Sequence, residues 1–380
     1  MVSSRVNEIN ESATVSMSNR AAELKAAGKT IYNFGIGEPD FTTPEEIIEY
    51  AFQSAKDGKT HYTPSAGIIE LRQKIAEKMK RKNNIQAEAS NVLVTPTKFS
   101  LNLALYSIMD PGDEVLLPSP YYVSYPDIIK LNGGKTVTVP TDEDYEMDFD
   151  SMRKFVSPKT KVFMFNNPVN PTGKVYSEKS LRKLSDFILE NDLYLLSDEI
   201  YEDLVYKGKM FSPGSIEEMR EKTITLSGFS KSYAMTGWRI GYMVADQSII
   251  KAANKVQQQT LTCAPSVSQY AALKALDDEN SVETMKAEFM KRRDLTVSLL
   301  SEIDGLSLYE PEGAFYAFPG YSSNKNDVEL AMDLLDKQNV IVTPGSPFGA
   351  WKHFRISYAA SEDTIREGIS RIDKYFKSIQ

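Results

Sequence analysis

The sequence predicts an α/β protein: a mostly parallel sheet flanked by helices, joined to a second, smaller α+β unit. Three observations predict it. Between about residues 90 and 245, short apolar or β-branched runs alternate with amphipathic helical stretches. The runs are continuous rather than alternating, as expected for strands covered on both faces of a parallel sheet. After about residue 280 the order of elements changes. Finally, 380 residues exceed the roughly 250–300 at which a single core stops growing, so two packed units are expected.

In chain order, Asn91–Val94 reads as the first strand and Phe99–Met109 as the helix after it. Glu114–Leu117, Thr136–Val139 and Val162–Phe165 are the next strands. Leu181–Glu190 is helical because Leu181, Leu184, Phe187 and Ile188 share one face. Leu193–Leu196, Thr223–Leu226 and Ile240–Val244 complete the strand set. A long charged helix, Val282–Ile303, leads to a strand–turn–strand stretch, Leu306–Phe318. A helix (Val328–Gln338), a strand (Val340–Thr343) and a terminal helix (Glu362–Lys377) follow. The expected division is 1–50 as an N-terminal arm and part of the small unit, 51–280 as the large unit, and 281–380 as the small C-terminal unit. No repeat, low-complexity tract or floppy linker separates them.

Composition narrows the chemistry. Lys+Arg 44 against Asp+Glu 52 gives a net charge of −8, which argues against nucleic acid as a partner. No apolar run reaches membrane-spanning or signal-peptide length, so the expectation is a cytoplasmic protein without a membrane partner. There is one cysteine, Cys263, and there are two histidines, His61 and His353. An internal disulfide is impossible, and a structural zinc site of Cys and His lacks ligands, so no metal is expected. Catalysis, if present, is expected to rest on groups other than imidazole or thiolate. Cys263 reads as a small buried residue, and the two histidines as structural or supporting groups.

Several motifs fail. Gly28-Lys29-Thr30 and Gly58-Lys59-Thr60 lack the earlier glycine of a phosphate loop, with Glu23 and Gln53 in its place. Gly35-Ile36-Gly37 begins a dinucleotide fingerprint, but Asp40 stands where the third glycine belongs. The basic clusters Lys78–Lys82 and Lys291–Arg293 read as solvated helix faces, the first above a stripe of Leu71, Ile75 and Met79.

Four segments fall at the carboxyl ends of predicted strands, where open α/β sheets bind ligands. They are Thr95-Pro96-Thr97-Lys98, Asn166 to Gly173, Ser197-Asp198-Glu199-Ile200-Tyr201, and Ser227-Gly228-Phe229-Ser230-Lys231 continuing to Arg239. Singly, Asp198 could be a helix cap, Asn-Pro and Pro-Thr-Gly are turn signals, and Lys231 could be a surface lysine. Together they bring a carboxylate, a phenol, an amide, a lysine and an arginine to one sheet edge. That set suits a phosphorylated aromatic aldehyde bound to lysine.

The Asn170-Pro171-Thr172-Gly173, Asp198-Glu199-Ile200-Tyr201 and Lys231…Arg239 set, in this order and spacing, resembles the fold-type I pyridoxal-phosphate aminotransferases of class I/II, with the aspartate aminotransferases as the nearest subgroup. The similarity runs from Ser12-Ala13-Thr14 and Gly35–Phe41, through Tyr62–Gly67, Asp110–Glu114 and Ser119–Tyr122, to Gly313–Tyr316 and Phe354–Ser357. It implies a seven-stranded sheet in a large cofactor-binding domain and pyridoxal 5′-phosphate as cofactor.

The resemblance also implies roles. Lys231 would hold the cofactor's aldehyde as a Schiff base and later carry a proton, which calls for a lowered pKa. Asp198 would lie against the pyridine nitrogen, with Tyr201 and Asn170 on the ring oxygen. Arg239, Ser230, Ser227 and the Thr97–Lys98 helix start would form the phosphate cup. Pro96 departs from the small residue usual in the family, and is read as the first turn of the helix. Tyr122 would stack on the ring in place of the tryptophan common in aspartate-type relatives. Tyr62 would reach the cofactor of a neighbouring subunit, which implies a homodimer with shared sites. Arg355 would take the substrate's α-carboxylate, helped by Asn170 and the Gly37 backbone, and Lys98 with Thr14 a side-chain carboxylate. The implied reaction is amine transfer from an L-amino acid to a 2-oxo acid, with aspartate and 2-oxoglutarate foremost. Aromatic, kynurenine or broad specificity, and a lyase on the same cofactor, stay open. A regulator without turnover and a purely structural protein fit the polar set less well.

Overall fold

The computed structural model describes residues 4–7, 9 and 14–379. Seven strands form the central sheet: β1 (Val92–Thr95), β2 (Glu114–Ser119), β3 (Lys135–Pro140), β4 (Thr160–Asn166), β5 (Tyr194–Asp198), β6 (Thr223–Gly228) and β7 (Gly241–Val244). Their spatial order is β1-β7-β6-β5-β4-β2-β3. Only β7 runs antiparallel to its neighbours. Strands β1, β4, β5, β6 and β7 are apolar through their middles because both faces are covered, whereas the edge strand β3 buries only Val139. Leu93, Leu117 and Met243 pack on one side, Val92, Val94 and Tyr242 on another, and Phe163 and Leu195 in a third cluster.

Register decides where the polar ends fall. Asn166 of β4 pairs with Asp198 of β5, and Asp198 with Leu226 of β6. The segments leaving these strand ends therefore start side by side. The helix Thr97–Ile108 begins at the matching end of β1.

A second core gathers Phe34, Phe289, Phe315, Leu330, Val340, Phe354, Ile369 and Tyr375 around a three-stranded sheet. In that sheet Phe354–Ser357 lies between Tyr316–Ala317 and Thr343–Pro344, all antiparallel. Tyr32–Asn33 pairs in parallel with Val340–Ile341, and Ala21, Leu24 and Phe34 join the same core, so this stretch packs with the C-terminal elements. The helix Glu45–Lys56 goes elsewhere: its Ile47 and Ala51 join Leu71 and Ile75 beneath the large sheet. No helix of the described residues is long and apolar enough to cross a membrane.

Four expectations need correction. Lys78 is buried, not part of a solvated face. It sits three residues after Ile75 and so shares its apolar stripe, where Nζ donates to Glu202 Oε2 at 2.6 Å and to Asn83 Oδ1 at 2.9 Å. Arg292 and Arg293 are also buried: Arg292 pairs with Asp40 at 2.7 Å, and Arg293 Nε donates to Pro311 O at 2.7 Å. Burial of their long stems is compatible with charge because each head finds an acceptor. The Leu306–Phe318 stretch is no hairpin. Leu306–Ser307 pairs with Gly320–Tyr321, while Tyr316–Ala317 joins the Phe354–Ser357 strand. Cys263 is only half-buried.

Candidate active site

Between the carboxyl ends of β1, β4, β5 and β6 and the three-stranded sheet lies a cavity of about 510 Å³. Its lining includes Gly37, Thr97, Lys98, Tyr122, Asn170, Asp198, Tyr201, Ser230, Lys231, Arg239 and Arg355. Tertiary structure thus brings together side chains more than 250 positions apart.

Lys231 stands at its centre. Nζ donates to Gly37 O at 2.5 Å, and the rings of Phe315 and Tyr201 lie 5.7 Å and 6.0 Å from it. Burial is the main reason its pKa falls to about 8; Glu38 opposes the fall, and Arg355 and Arg239 add to it. An amine of this kind is partly neutral near physiological pH and can act as a nucleophile or base.

Asp198 is the last residue of β5 and is buried. Its Oδ2 accepts from Tyr125 Oη at 2.7 Å and its Oδ1 from Ile200 N at 3.3 Å. Burial raises its pKa to about 6, and the Tyr125 hydroxyl limits the rise. Tyr201 is held by a 2.9 Å hydrogen bond between its hydroxyl and that of Tyr316. Burial lifts the Tyr201 phenol well above the usual range, so it is a neutral donor.

Arg355 comes from the middle strand of the small sheet. Nη1 donates to Asn170 Oδ1 at 3.1 Å, and Nη2 to Gly35 O at 2.9 Å and Thr343 Oγ1 at 3.4 Å. The guanidinium lies 4.5 Å from the Tyr316 ring and 5.2 Å from that of Phe348. Each partner is neutral, and Nε is buried without an acceptor. A buried cation with no carboxylate partner among the described residues is costly by itself and is a ready site for an anion.

The phosphate-cup residues are placed unevenly. Pro96 occupies the position before the helix rather than its first turn, and Thr97 begins the helix. The N–H groups of Phe99 and Ser100 turn back to Pro96 O. Those of Thr97 and Lys98 have no acceptor among the described residues, which leaves a helix N-terminus suited to an anion. Thr97 Oγ1 is buried and unpartnered. It fills a notch where a Cβ on Gly228 or Gly241 would collide with it. Ser230 lines the cavity, whereas Ser227 does not: its hydroxyl donates to Glu202 Oε1 at 2.5 Å. Arg239 is at the open rim with left-handed backbone (φ 55°), and Nη1 donates to Thr236 O at 2.9 Å. That conformation is uncommon for a residue other than glycine.

Lys98 Nζ lies 5.7 Å from the centre of the Tyr122 ring, and no carboxylate pairs with it among the described residues. Tyr122 meets Tyr125 edge to face. Tyr62 is 88% exposed and not part of the cavity wall of its own chain. Thr14 starts the helix Thr14–Ala26, but its side chain lies outside the described residues. His61 and His353 do not line the cavity; His353 stacks on Phe318.

Three further cavity residues escaped the sequence reading: Tyr125, Tyr316 and Glu38, whose Oε2 accepts from Thr236 Oγ1 at 2.7 Å. Glu38 and Tyr316 lie within segments that carried the resemblance, yet their contacts depend on tertiary packing. Tyr125 had no local signal at all.

A seven-stranded sheet with a weakly basic lysine, a buried carboxylate and a buried arginine that has no carboxylate partner among the described residues makes a site suited to a small anion and to chemistry at the lysine amine. The comparisons narrow this class. Residues 29–372 match the family described as aminotransferase class I and II, and the chain belongs to that family. It is an aminotransferase. It is 42% identical to the probable aspartate/prephenate aminotransferase of Aquifex aeolicus, over 100% of this chain and 99% of that one. It is 42% identical to aromatic-amino-acid aminotransferase 2 of Thermococcus litoralis, over 91% and 92%. The solved structure of Thermus thermophilus aspartate aminotransferase with maleate superposes with a TM-score of 0.94 at 40% identity, covering 98% of this chain and 99% of that one.

Proposed function

We propose that the protein transfers the amine of a dicarboxylic L-amino acid, aspartate foremost, to 2-oxoglutarate, using pyridoxal 5′-phosphate. The observation that carries the reading is the convergence of Lys231, weakly basic at about 8, with Asp198 and an Arg355 that has no carboxylate partner among the described residues in one cavity.

The residues present fit the cofactor. The unpartnered Thr97 hydroxyl and the free N–H groups beside it offer donors to a phosphate. Ser230, Arg239 and Lys98, which line the same cavity, would add to them, and Ser227 would have to release Glu202 to do so. Lys231 would hold the carbonyl, Asp198 the ring nitrogen, Tyr201 and Asn170 the ring oxygen, and Tyr122 would cover the ring. When bound, the group supplies an electron sink for the pair released at the substrate's Cα.

The chain's own residues do the rest. Arg355 grips the α-carboxylate with Asn170 at its side, which fixes the Cα–H bond relative to Lys231. Lys231 Nζ, once neutral and free, would take the Cα proton as a general base and give a proton back as a general acid. Asp198, with its value near 6, is ionised at neutral pH and would keep a ring nitrogen held against it protonated.

Lys98 supports the dicarboxylate choice, since its ammonium has no carboxylate partner among the described residues and lines the same cavity; Thr14 is assigned beside it. Relatives named for aspartate/prephenate and for aspartate with maleate agree with two anionic groups on the substrate. Aromatic specificity is the second reading, favoured by Tyr122, Tyr125 and Tyr316 in the wall and by the Thermococcus relative. A homodimer belongs to this proposal: Tyr62, Phe52, Tyr50 and Ile69 are exposed within one stretch of chain, and Tyr62 would complete a neighbour's site. The division at residues 50 and 280 is part of it as well. One cysteine and no internal disulfide agree with a reducing, cytoplasmic setting.

Single amino acids mixed with cofactor-loaded protein test the reading. Rapid loss of the cofactor's visible absorbance is expected with aspartate and glutamate and not with tyrosine. Loss with tyrosine or phenylalanine instead overturns the dicarboxylate choice. Release of pyruvate and ammonia without amine transfer points to a lyase.

A further inference from the structure

Tyr316 touches both halves of the site. Its hydroxyl is 2.9 Å from that of Tyr201, and its ring face is 4.5 Å from the Arg355 guanidinium. It is 1% exposed, and its strand neighbours the one that carries Arg355. The approach is close on a third side, since a Cβ on Gly37 would lie 3.0 Å from the Tyr316 hydroxyl. Gly37 is also the residue whose carbonyl receives Lys231.

We infer that Tyr316 is a positioning residue with two separable functions: its hydroxyl orients and polarises the Tyr201 phenol, and its ring holds the Arg355 guanidinium flat for a carboxylate. The inference rests on the cofactor reading above and names a residue that reading does not use.

The geometry separates the two functions. A phenol pair can share its hydrogen in either direction. When Tyr316 donates, the Tyr201 hydrogen is free for an acceptor in the cavity, and chained hydrogen bonds strengthen each other. Burial raises both phenols and Arg355 draws both down; Tyr316, at about 12, stays the more acidic of the two, which favours it as the donor. The ring contact needs only an aromatic face. Phe348 supplies a second aromatic ring 5.2 Å from the same guanidinium.

Tyr316→Phe keeps the ring and removes the hydroxyl; Tyr316→Leu removes both. The readouts are the pH midpoint of the visible absorbance of protein loaded with pyridoxal phosphate, and the dissociation constant for maleate, which carries no amine. Tyr201 stabilises an anionic ring oxygen, so a weaker Tyr201 hydrogen bond raises the midpoint. Tyr316→Phe is expected to raise it by about 0.7 pH, the worth of one neutral hydrogen bond, with maleate affinity within about twofold of wild type. Tyr316→Leu is expected to raise it similarly and to weaken maleate by roughly tenfold. In a Tyr201→Phe background, Tyr316→Phe is expected to add nothing to the midpoint, which a general structural effect would not reproduce. An unchanged midpoint in Tyr316→Phe, or equal maleate affinity in the Phe and Leu variants, overturns the inference. If the wild-type chain takes up no pyridoxal phosphate, the cofactor reading itself fails, and that outcome is distinct.

Discussion

The phenol of Tyr125 donates a 2.7 Å hydrogen bond to Oδ2 of Asp198, and this bond limits how far burial raises the carboxyl pKa. Tyr125 is 1% exposed and lies 73 positions from its partner. Tyr125→Phe leaves that oxygen without its donor and drives the Asp198 value above about 6. The fraction of ionised Asp198 then falls at neutral pH. The expected result is a lower kcat, with the acid limb of the kcat profile moved upward by about one pH. A pH–rate profile identical to wild type would falsify this assignment.

Lys231 offers a second pH test. Its value in the fold is about 8 against an ordinary 10.5, so the native amine is neutral over a range where the unfolded one is still protonated. Uptake of pyridoxal phosphate by cofactor-free protein needs the neutral amine. The uptake rate is expected to climb with pH through a midpoint near 8 and then level off. Between about 8 and 10.5 the unfolded state binds the extra proton, so this group adds stability as pH rises. Lys231→Ala should abolish the visible absorbance and remove that midpoint.

Glu199 follows Asp198 and is fully buried. Its Oε1 accepts from Ser197 at 2.8 Å and Ser212 at 2.7 Å, while Oε2 has no partner among the described residues. Burial first, then the nearby Glu202 carboxylate, raise its pKa to about 8; Lys78 and the two serines act the other way. The folded value lies above the unfolded 4.5, so the native state holds a proton that the unfolded state has lost between those values. Stability from this group is therefore full below about 4.5 and declines as pH rises to about 8. Glu199→Gln, which mimics the protonated form, is expected to flatten that decline in urea unfolding. A slope unchanged from wild type argues against a neutral Glu199.

Gly241 sits where β7 meets β6, beside Thr97. A Cβ there would collide with Thr97 Oγ1 and lie 2.9 Å from Ser227 O, a backbone atom that cannot step aside. Gly241→Ala is expected to destabilise the fold by about 1–3 kcal/mol, read by thermal or urea denaturation, and to weaken phosphate binding at the Thr97 helix start. Gly58→Ala is the contrast. No atom lies within 4 Å of its Cβ, so its cost comes from the positive φ of 80° alone.

The sheet strands were legible in the sequence because a strand buried on both faces leaves a continuous apolar run, as in Val162–Phe165 and Leu193–Leu196. The edge that would carry chemistry was legible because parallel strands end together, which placed Asn170, Asp198, Ser230 and Lys231 at one rim. Lys78 was misread for a physical reason. Charge in a sequence signals solvent, but the partner that makes burial tolerable, Glu202, is 124 positions away. The Leu306–Phe318 stretch was misread because adjacent strands in sequence often pair, whereas here each found a different neighbour across the small unit.

By itself, then, the sequence determined the residue types, the order of elements and the alignment of strand ends, all of which follow from local periodicity and turn chemistry. Only the tertiary structure decided which groups meet. It set Arg355 against Asn170 across 185 positions, joined Tyr316 to Tyr201, tied Tyr125 to Asp198 and turned Ser227 toward Glu202. It also decided the electrostatics, because the lowered basicity of Lys231 and the raised value of Asp198 come chiefly from burial. Burial belongs to the packed molecule, and no short window of sequence carries it.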